Sequence, residues 1–480
     1  MSVHEYDVVV VGGGVAGLSA ACAAAEAGAR VAVLDRAPEA ETGGNTRYTE
    51  AFLRMASIEA TADGLEESLV DDFMGHPDPS VVRDAERSPE RRTALYKATH
   101  VVDPDYVETL AEQAPATLAW MGTHGMRFEF LPTPFLTTST TRMAPVGGGL
   151  AIVETMGKAA RGLGVDFHFE TTARSLIAGD TGVEGVVAQT TTGRAEFRGR
   201  VVLASGGYQG NAEMMARYHG GHALTTRPVA RGGNYNKGEG IEMALALGAA
   251  TAGSFSLFHA EPVDPRSGEP EAAIFCFPYG ILVNREGKRF VDEARGPIDA
   301  WYERTTRDIQ AQTEGVAWVI LDQQAQAVPN IRSGIRTDQP PVRGASLEEL
   351  ATKMGVPAEA LADTVSTYNA ACGDGDFDPL VPDGLATSGL VPPKSNWARP
   401  VADGPYEAYP VMAANVFTFG GLKTTPAAEV VDRDGRAIPG LYAAGEMTGL
   451  YYSNYTGSTS VLRGATFGRI AGAGAAAAGS

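Results

Sequence analysis

Residues 6–36 read YDVVVVGGGVAGLSAACAAAEAGARVAVLDR, and this stretch restricts the fold more than any other. The apolar run Val8 to Val11 predicts a strand buried on both faces, as in a parallel sheet. Gly12, Gly14 and Gly17 complete a GxGxxG pattern. The small residues that follow, with Ala21 and Gly28 toward the sheet, predict a helix packed closely on it. A second strand, Val31 to Leu34, ends in Asp35. Gly12 permits a tight turn, Gly14 lets the backbone approach a pyrophosphate, and Gly17 lets helix and strand touch. The helix start adds free N–H groups and the positive end of its dipole. Asp35 is placed to accept hydrogen bonds from a ribose diol. These parts, in this order, predict a dinucleotide-binding unit, with Val15, Ala16 and Arg36 beside the motif.

At 480 residues the chain exceeds what one hydrophobic core commonly spans, so two domains are expected. Its formal charge of −19 argues against nucleic acid or an anionic membrane as the main partner. Cys22, Cys276 and Cys372 are the only cysteines, which leaves no CxxC pair, disulfide framework or iron–sulfur cluster. No metal site is expected. A reducing, cytoplasmic setting fits. The chain runs straight into its first strand without a signal-type segment, and no stretch reaches ~18 uninterrupted apolar residues, so no membrane span is expected.

The loop TGGNTRYTEAF (42–52) is expected to feed a helix, and residues 60–125 carry helical spacing. Residues 127–149 read as loop, with Thr137 to Thr141 and Gly147-Gly148-Gly149 inside. A helix over Ala151 to Leu163 precedes several hairpin strands that end in Val201 to Ala204. From about Leu257 the character changes to short strands punctuated by Pro and Gly, with helical patches at 346–354 and 358–371. The expected fold class is α/β. A split Rossmann-like domain, residues 1–257 plus 417–480, carries an inserted α+β substrate-capping domain, residues 258–416.

Three features favour FAD over NAD. Gly43-Gly44-Asn45-Thr46 offers a backbone-rich loop to the pyrophosphate and flavin ring. Val201 to Gly207, with Ala204, Ser205 and Gly206, reads as the strand that closes over such a cofactor. Leu441 to Glu446, with Gly445, is a strand whose terminal acid is placed for the ribitol hydroxyls. A helix opening near Thr459, Ser460, Val461 and Leu462 would turn its N–H groups to the flavin N1/O2 edge. Ala173 completes the candidate set. No second strand–GxGxxG–helix unit is present, so no separate nicotinamide domain is expected.

The segments GGNTRYT (43–49), ARGGNYNKG (230–238), LVNREGKRFVDE (282–293), TYNAAC (367–372), NWARP (396–400), FTFGGLKT (417–424), LYAAGEMTG (441–449) and NYTGSTS…GATFGRIAG (454–472) follow one another in a familiar order. Together they resemble the flavoprotein superfamily of fumarate reductase and succinate dehydrogenase, across essentially the whole chain. Within it the sequence looks most like FAD-dependent tricarballylate dehydrogenases, with some features of 3-ketosteroid dehydrogenases. The resemblance implies C–C dehydrogenation alpha–beta to a carboxylate or carbonyl, or the reverse. A hydride passes between substrate and flavin N5, and a proton between substrate and protein. Three rivals remain: a ketosteroid-type dehydrogenase, an ene reductase running the reverse reaction, and a degenerate FAD-binding protein.

In this family a cap arginine shuttles the proton, and the match is Arg307 in YERTTRDI, with Asp308 or Glu303 as relay and Arg304 and Arg295 as rivals. His259 matches a substrate-carboxylate histidine, although its HAE context departs from the usual HPT, and a core histidine is the other reading. Phe417 stands where the dicarboxylate pattern has histidine, and Tyr455 where it has arginine. The acid expected before GILVN is missing from AAIFCFPYG (272–280). Fewer cationic anchors and more aromatics, Tyr452 among them, imply a larger, more apolar substrate. By resemblance to ketosteroid dehydrogenases, Tyr455 and the N–H of Thr459 would form an oxyanion site. Arg47 and Arg231 remain as anion anchors, with Lys237 and Lys423 behind them. The GGNTRYTEA segment has no histidine and the nearest is His76, so the FAD is expected to be non-covalent. Any electron partner, whether a quinone, an iron–sulfur protein, oxygen or a dye, is a separate molecule.

Overall fold

The computed structural model describes residues 2–74, 80, 83, 87, 88, 91, 92, 102–131 and 142–478. Its first sheet is built on the strand Ser2–Val11, which pairs in parallel with Val31–Leu34 on one side and Gly193–Leu203 on the other. Val8, Val9 and Val10 are completely buried, because parallel strands of this kind are covered on both faces. Asp166–His168 extends one edge, and Ala437–Ala443 with Glu429–Val431 extends the other. The hairpin strands Thr172–Gly179 and Gly182–Thr190 lean on Gly193–Leu203.

The last helix, Ser460–Ala477, returns to lie on the first, Val15–Glu26. Gly464, Gly468 and Gly472 fall on one face at four-residue intervals, opposite the small residues Ala16 and Ala20. A Cβ on Gly468 would lie 2.3 Å from the Ala16 carbonyl oxygen, and one on Gly472 2.0 Å from that of Ala20. The helices therefore meet backbone to backbone. This brings the start of the last helix beside the turn that opens the first.

A second sheet draws its strands from between Arg227 and Thr418. Its spine is the long strand Tyr406–Thr418. Phe258–Val263, Val316–Leu321 and Val342–Gly344 pair with it antiparallel, and Arg227–Pro228 pairs in parallel. Ile281–Asn284 adds onto Val316–Leu321. Helices Ile298–Gln310, Leu347–Met354 and Ala358–Ala371 accompany this sheet. The register pairs His259 with Phe417, which sets two candidate site residues side by side.

Two local expectations change. The 42–52 loop does not feed a helix; it tightens into a 3₁₀ turn, Gly44–Tyr48, entered through Gly43 at φ 112°. The turn is pinned from behind, since a Cβ on Gly149 would sit 1.7 Å from the Thr46 carbonyl oxygen. Residues 127–149 are not all loop: Phe128–Leu131 pairs antiparallel with Arg142–Pro145, and the triple glycine opens helix Gly148–Gly162. Thr137 to Thr141 and His76 lie outside the described residues. Among the described residues no helix is long and apolar enough to cross a membrane.

The glycine seam can be tested directly. Gly472→Val forces a side chain into the first helix's backbone and is expected to destabilise the fold by about 3 kcal/mol or more. Thermal unfolding should show a lower melting temperature, accompanied by weaker flavin retention.

Candidate active site

A cavity of about 1320 Å³, counted out to open solvent, starts at the turn after the first strand. Gly12 holds φ 113°, and a Cβ there would lie 2.3 Å from the Ala204 carbonyl oxygen. Gly17 packs on Gly12, with 1.9 Å left between a Cβ and the Gly12 oxygen. Only glycine allows this closeness, which leaves backbone as the wall. Helices Val15–Glu26 and Ser460–Ala477 both open on the cavity, and neither has an acidic residue in its first turn. Free N–H groups and two dipole ends thus face a cavity built for an anionic, elongated group, which fits FAD.

Of the expected cofactor residues, Gly12, Gly14, Val15, Ala16, Asp35, Arg36, Gly43, Gly44, Asn45, Thr46, Ala173, Ala204, Ser205, Gly206, Gly445, Glu446, Ser460 and Val461 line the cavity. Gly17, Thr459 and Leu462 do not: the first is a packing contact, and the other two are completely buried. Asp35 lies at the far end, accepting from the Ala37 N–H (3.0 Å) and the Thr42 hydroxyl (2.5 Å). Arg36 is held by Glu239 and by the Tyr235 carbonyl (3.1 Å). The Val15 N–H donates to the Thr46 hydroxyl (3.1 Å), tying the glycine turn to the 3₁₀ turn. Glu446 is less open to a ligand than expected. Its carboxylate accepts from the Thr418 N–H (2.8 Å), the Thr418 hydroxyl (3.1 Å) and the Asn236 amide (3.2 Å). Burial raises its pKa, and hydrogen bonds from Thr418 and Gln209 oppose the shift.

Phe417 lines the cavity and leads into an aromatic cluster. Its ring lies 5.1 Å from His259, 4.9 Å from Tyr455 and 5.6 Å from Tyr451, centre to centre. His259 and Tyr455 approach to 4.4 Å. His259 is 4% exposed; its Nε2 shares a 2.5 Å hydrogen bond with the Tyr302 hydroxyl, and its Nδ1 has no hydrogen-bond partner among the described residues. Burial, and secondarily the charge of Arg307, push its pKa down to about 3.

Arg307 stands on helix Ile298–Gln310 behind this cluster. It pairs with Glu303 one helical turn away and donates to the Ser453 carbonyl (3.0 Å). Asp308 instead pairs with Arg295 (3.2 Å), and Arg304 lies over the Trp301 ring (5.2 Å). The Tyr455 hydroxyl oxygen accepts from the N–H groups of both Thr459 (3.1 Å) and Ser460 (3.2 Å). The expected oxyanion site is corrected accordingly. The Thr459 N–H caps onto Tyr455 itself, and the tyrosine O–H in turn donates to the Ser460 hydroxyl (3.2 Å).

The remaining cations disperse. Arg231 pairs with Glu41 and is largely exposed. Arg47 leans on the Thr42 carbonyl (3.5 Å), Lys237 on that of Gly210, and Lys423 is buried near Asp103. Tyr452 packs against the core without lining the cavity. Sequence reasoning missed Tyr302, Asn236 and Arg463. Arg463 is 1% exposed, lines the cavity and donates to the Thr448 carbonyl (2.9 Å). Its place on the last helix was readable, but not its depth.

The His259 shift carries a stability signature. Unfolded, the imidazole titrates near 6.5; folded, it refuses the proton down to about 3. The unfolded state thus binds more protons between these values, and stability falls as pH drops through that window. His259→Asn should flatten this acid limb of a denaturation series by up to about 1.4 kcal/mol per pH unit.

Comparison with known proteins places the chain. It is 28% identical over 527 residues to the NADH:acrylate oxidoreductase of Vibrio harveyi, covering 98% of this chain but 50% of that protein, so it spans about half that relative's length. An open conformation of a flavocytochrome c3 fumarate reductase superposes with a TM-score of 0.75 at 26% identity, over 99% of this chain and 78% of that one. The 3-ketosteroid-Δ4-(5α)-dehydrogenase of Rhodococcus jostii RHA1, bound to 4-androstene-3,17-dione, superposes with a TM-score of 0.69 at 27% identity, over 98% and 97%. The FAD binding domain family matches residues 7–462, and the chain belongs to that family.

Proposed function

We propose that the chain is an FAD-dependent oxidoreductase that reduces or introduces a C–C double bond beside a carboxylate or carbonyl, with residues 258–416 capping the substrate. The observation that carries this reading is the Arg307–Glu303 pair beside the His259–Tyr455–Phe417 cluster, of which Phe417 lines the cavity. The relatives named above act on alkenes or their saturated counterparts, which supports the reaction class. Motif order supports the finer likeness to tricarballylate dehydrogenation, and the dispersed cations weigh against a tricarboxylate.

When bound, FAD supplies the hydride acceptor or donor. The chain's own residues handle the proton. In the reducing direction one alkene carbon gains a hydride and its neighbour a proton. Arg307 gives that proton, and Glu303 relays one from solvent back to the guanidinium. In the dehydrogenating direction the same groups take the proton away. Tyr455, whose oxygen is held by two N–H groups, turns its O–H from the Ser460 hydroxyl to the substrate oxygen on which negative charge collects. His259 stays neutral and positions Tyr302. Phe417, Tyr451 and Tyr455 keep water from the reacting carbons. The second electron partner is a separate molecule, and a reducing, cytoplasmic setting accords with three free cysteines.

A ketosteroid-type substrate is the second reading, favoured by the tyrosine donor and the ring cluster around it. Both readings are tested together. Dithionite-reduced holoenzyme should be reoxidised anaerobically by α,β-unsaturated acids or enones, followed by flavin absorbance. Arg307→Ala should slow this roughly 10²–10⁴-fold at full flavin content, and Tyr455→Phe roughly 10²-fold. Unchanged rates in both variants would point to a flavin-binding protein without this chemistry. Acid precipitation should release the flavin into the supernatant, as expected of a non-covalent cofactor.

A further inference from the structure

The first residue of the last helix carries a hydroxyl whose own proton the proposed chemistry leaves idle. A serine at a helix start ordinarily spends its oxygen on capping the free N–H groups. Here the Tyr455 oxygen takes that place, accepting from the N–H groups of Thr459 (3.1 Å) and Ser460 (3.2 Å). The Thr459 hydroxyl is committed too: it donates to the Thr456 carbonyl (2.5 Å) and lies 2.7 Å from the Tyr451 hydroxyl. The Ser460 oxygen accepts from the Tyr455 O–H at 3.2 Å, and the serine's own O–H has no acceptor among the described residues. Ser460 lines the cavity, whereas Tyr455 does not. The loop that carries both is fixed, since Ser458 holds the left-handed φ of 64° and its carbonyl accepts from the Arg54 N–H (2.8 Å).

Two hydroxyl oxygens 3.2 Å apart can share one acceptor, because an oxygen ~2.8 Å from each closes a near-equilateral triangle with them. An oxygen arriving from the cavity meets Ser460 first. It draws the Tyr455 O–H away from the serine, and the idle serine O–H turns to the same atom. One hydrogen bond is given up and two are made. The nearby backbone cannot supply the second donor, since the N–H groups of Thr459 and Ser460 both end on Tyr455. When a hydride reaches an alkene conjugated to C=O, charge gathers on that oxygen, and two neutral donors can hold it without a counter-ion.

We infer that Ser460 is a catalytic residue: its hydroxyl is the second donor, beside Tyr455, to the substrate oxygen that takes up enolate charge. The inference rests on the preceding reading, in which the alkene is conjugated to a carboxylate or carbonyl. Reduced holoenzyme is reoxidised anaerobically with fumarate, cinnamate and 2-cyclohexen-1-one. Ser460→Ala should slow the reaction at least ~10-fold at unchanged flavin content and melting temperature, and Ser460→Thr, which keeps the hydroxyl, by less than ~3-fold. A serine that merely steadied Tyr455 would cost nothing once that hydroxyl is gone. A second donor still costs ~10-fold when Ser460→Ala is added to Tyr455→Phe. Binding gives a readout free of turnover. 4-Nitrophenolate, a planar oxyanion followed by its own absorbance, should bind the oxidised holoenzyme at least ~10-fold more tightly than it binds Ser460→Ala. If Ser460→Ala fails to hold flavin, Ser460→Cys, whose S–H is a weak donor, is read in its place. Equal rates in Ser460→Ala and the unsubstituted enzyme, no further loss in the double variant, or equal phenolate binding overturns the inference. If Arg307→Ala slows reoxidation and Ser460→Ala does not, this inference alone falls. If none of the three compounds reoxidises the flavin, the parent reading falls with it.

Discussion

The contact on which the rest of the structure depends is the backbone seam between the first and last helices. Gly468 and Gly472 bring the last helix down onto the backbone of Ala16 and Ala20, and Gly464 makes room for the Val15 side chain. The chain's two ends thereby form one wall. The turn at Gly12 to Gly14 and the start of the helix at Ser460 open on the same cavity, although they are distant in sequence. Two helix N-termini then act on one ligand, and their dipoles add where a single one would be weak. The seam also fixes the Tyr455 loop. Its hydroxyl is anchored on the first N–H groups of the last helix, so any shift of that helix would move the donor.

The cofactor half of the molecule was legible because its signals are local. A buried valine run, fixed glycine spacing and a terminal acid each act within a few residues, and the strands and helix formed where they pointed. Helices Leu347–Met354 and Ala358–Ala371 were legible for the same reason. The 42–52 segment was not, because a partner elsewhere decides it. Gly149 presses on the Thr46 carbonyl and leaves room for a tight turn only. The substrate side is harder still. His259 meets Tyr302 across 43 residues of sequence, and Glu50 meets Arg336 across 286. No periodicity encodes such meetings. They follow from the register of the long strand Tyr406–Thr418 and from how the second sheet lies over the first.

Tyr455 marks the boundary between what a motif tells and what it does not. Its position in NYTGST pointed to a polarising hydroxyl, and the Thr459 N–H looked like a second donor to the substrate. In the folded chain that N–H satisfies the tyrosine oxygen instead. A helix start must place its free N–H groups somewhere, and a hydroxyl five residues or fewer away is a nearer acceptor than any ligand. The consequence is chemical. With its lone pairs engaged and its O–H on the Ser460 hydroxyl, the tyrosine must exchange that one bond to serve the donor role proposed for it.

Charge on the substrate side is arranged differently from a dicarboxylate site. The candidate anion anchor Arg231 is tied to Glu41, and Arg36, beside the cofactor motif, to Glu239. Arg307 is tied to Glu303 and Arg336 to Glu50. A guanidinium paired in this way has little left to offer a substrate anion, because forming a new ion pair would first break an existing one. Under the proposed function the same pairing would serve proton transfer, with Glu303 relaying a proton back to Arg307. His259, held neutral by burial, adds no compensating positive charge. Under the proposed function, a site with paired cations, a neutral imidazole and a wall of rings would discriminate by shape, whereas a fixed double-carboxylate clamp would require the opposite arrangement.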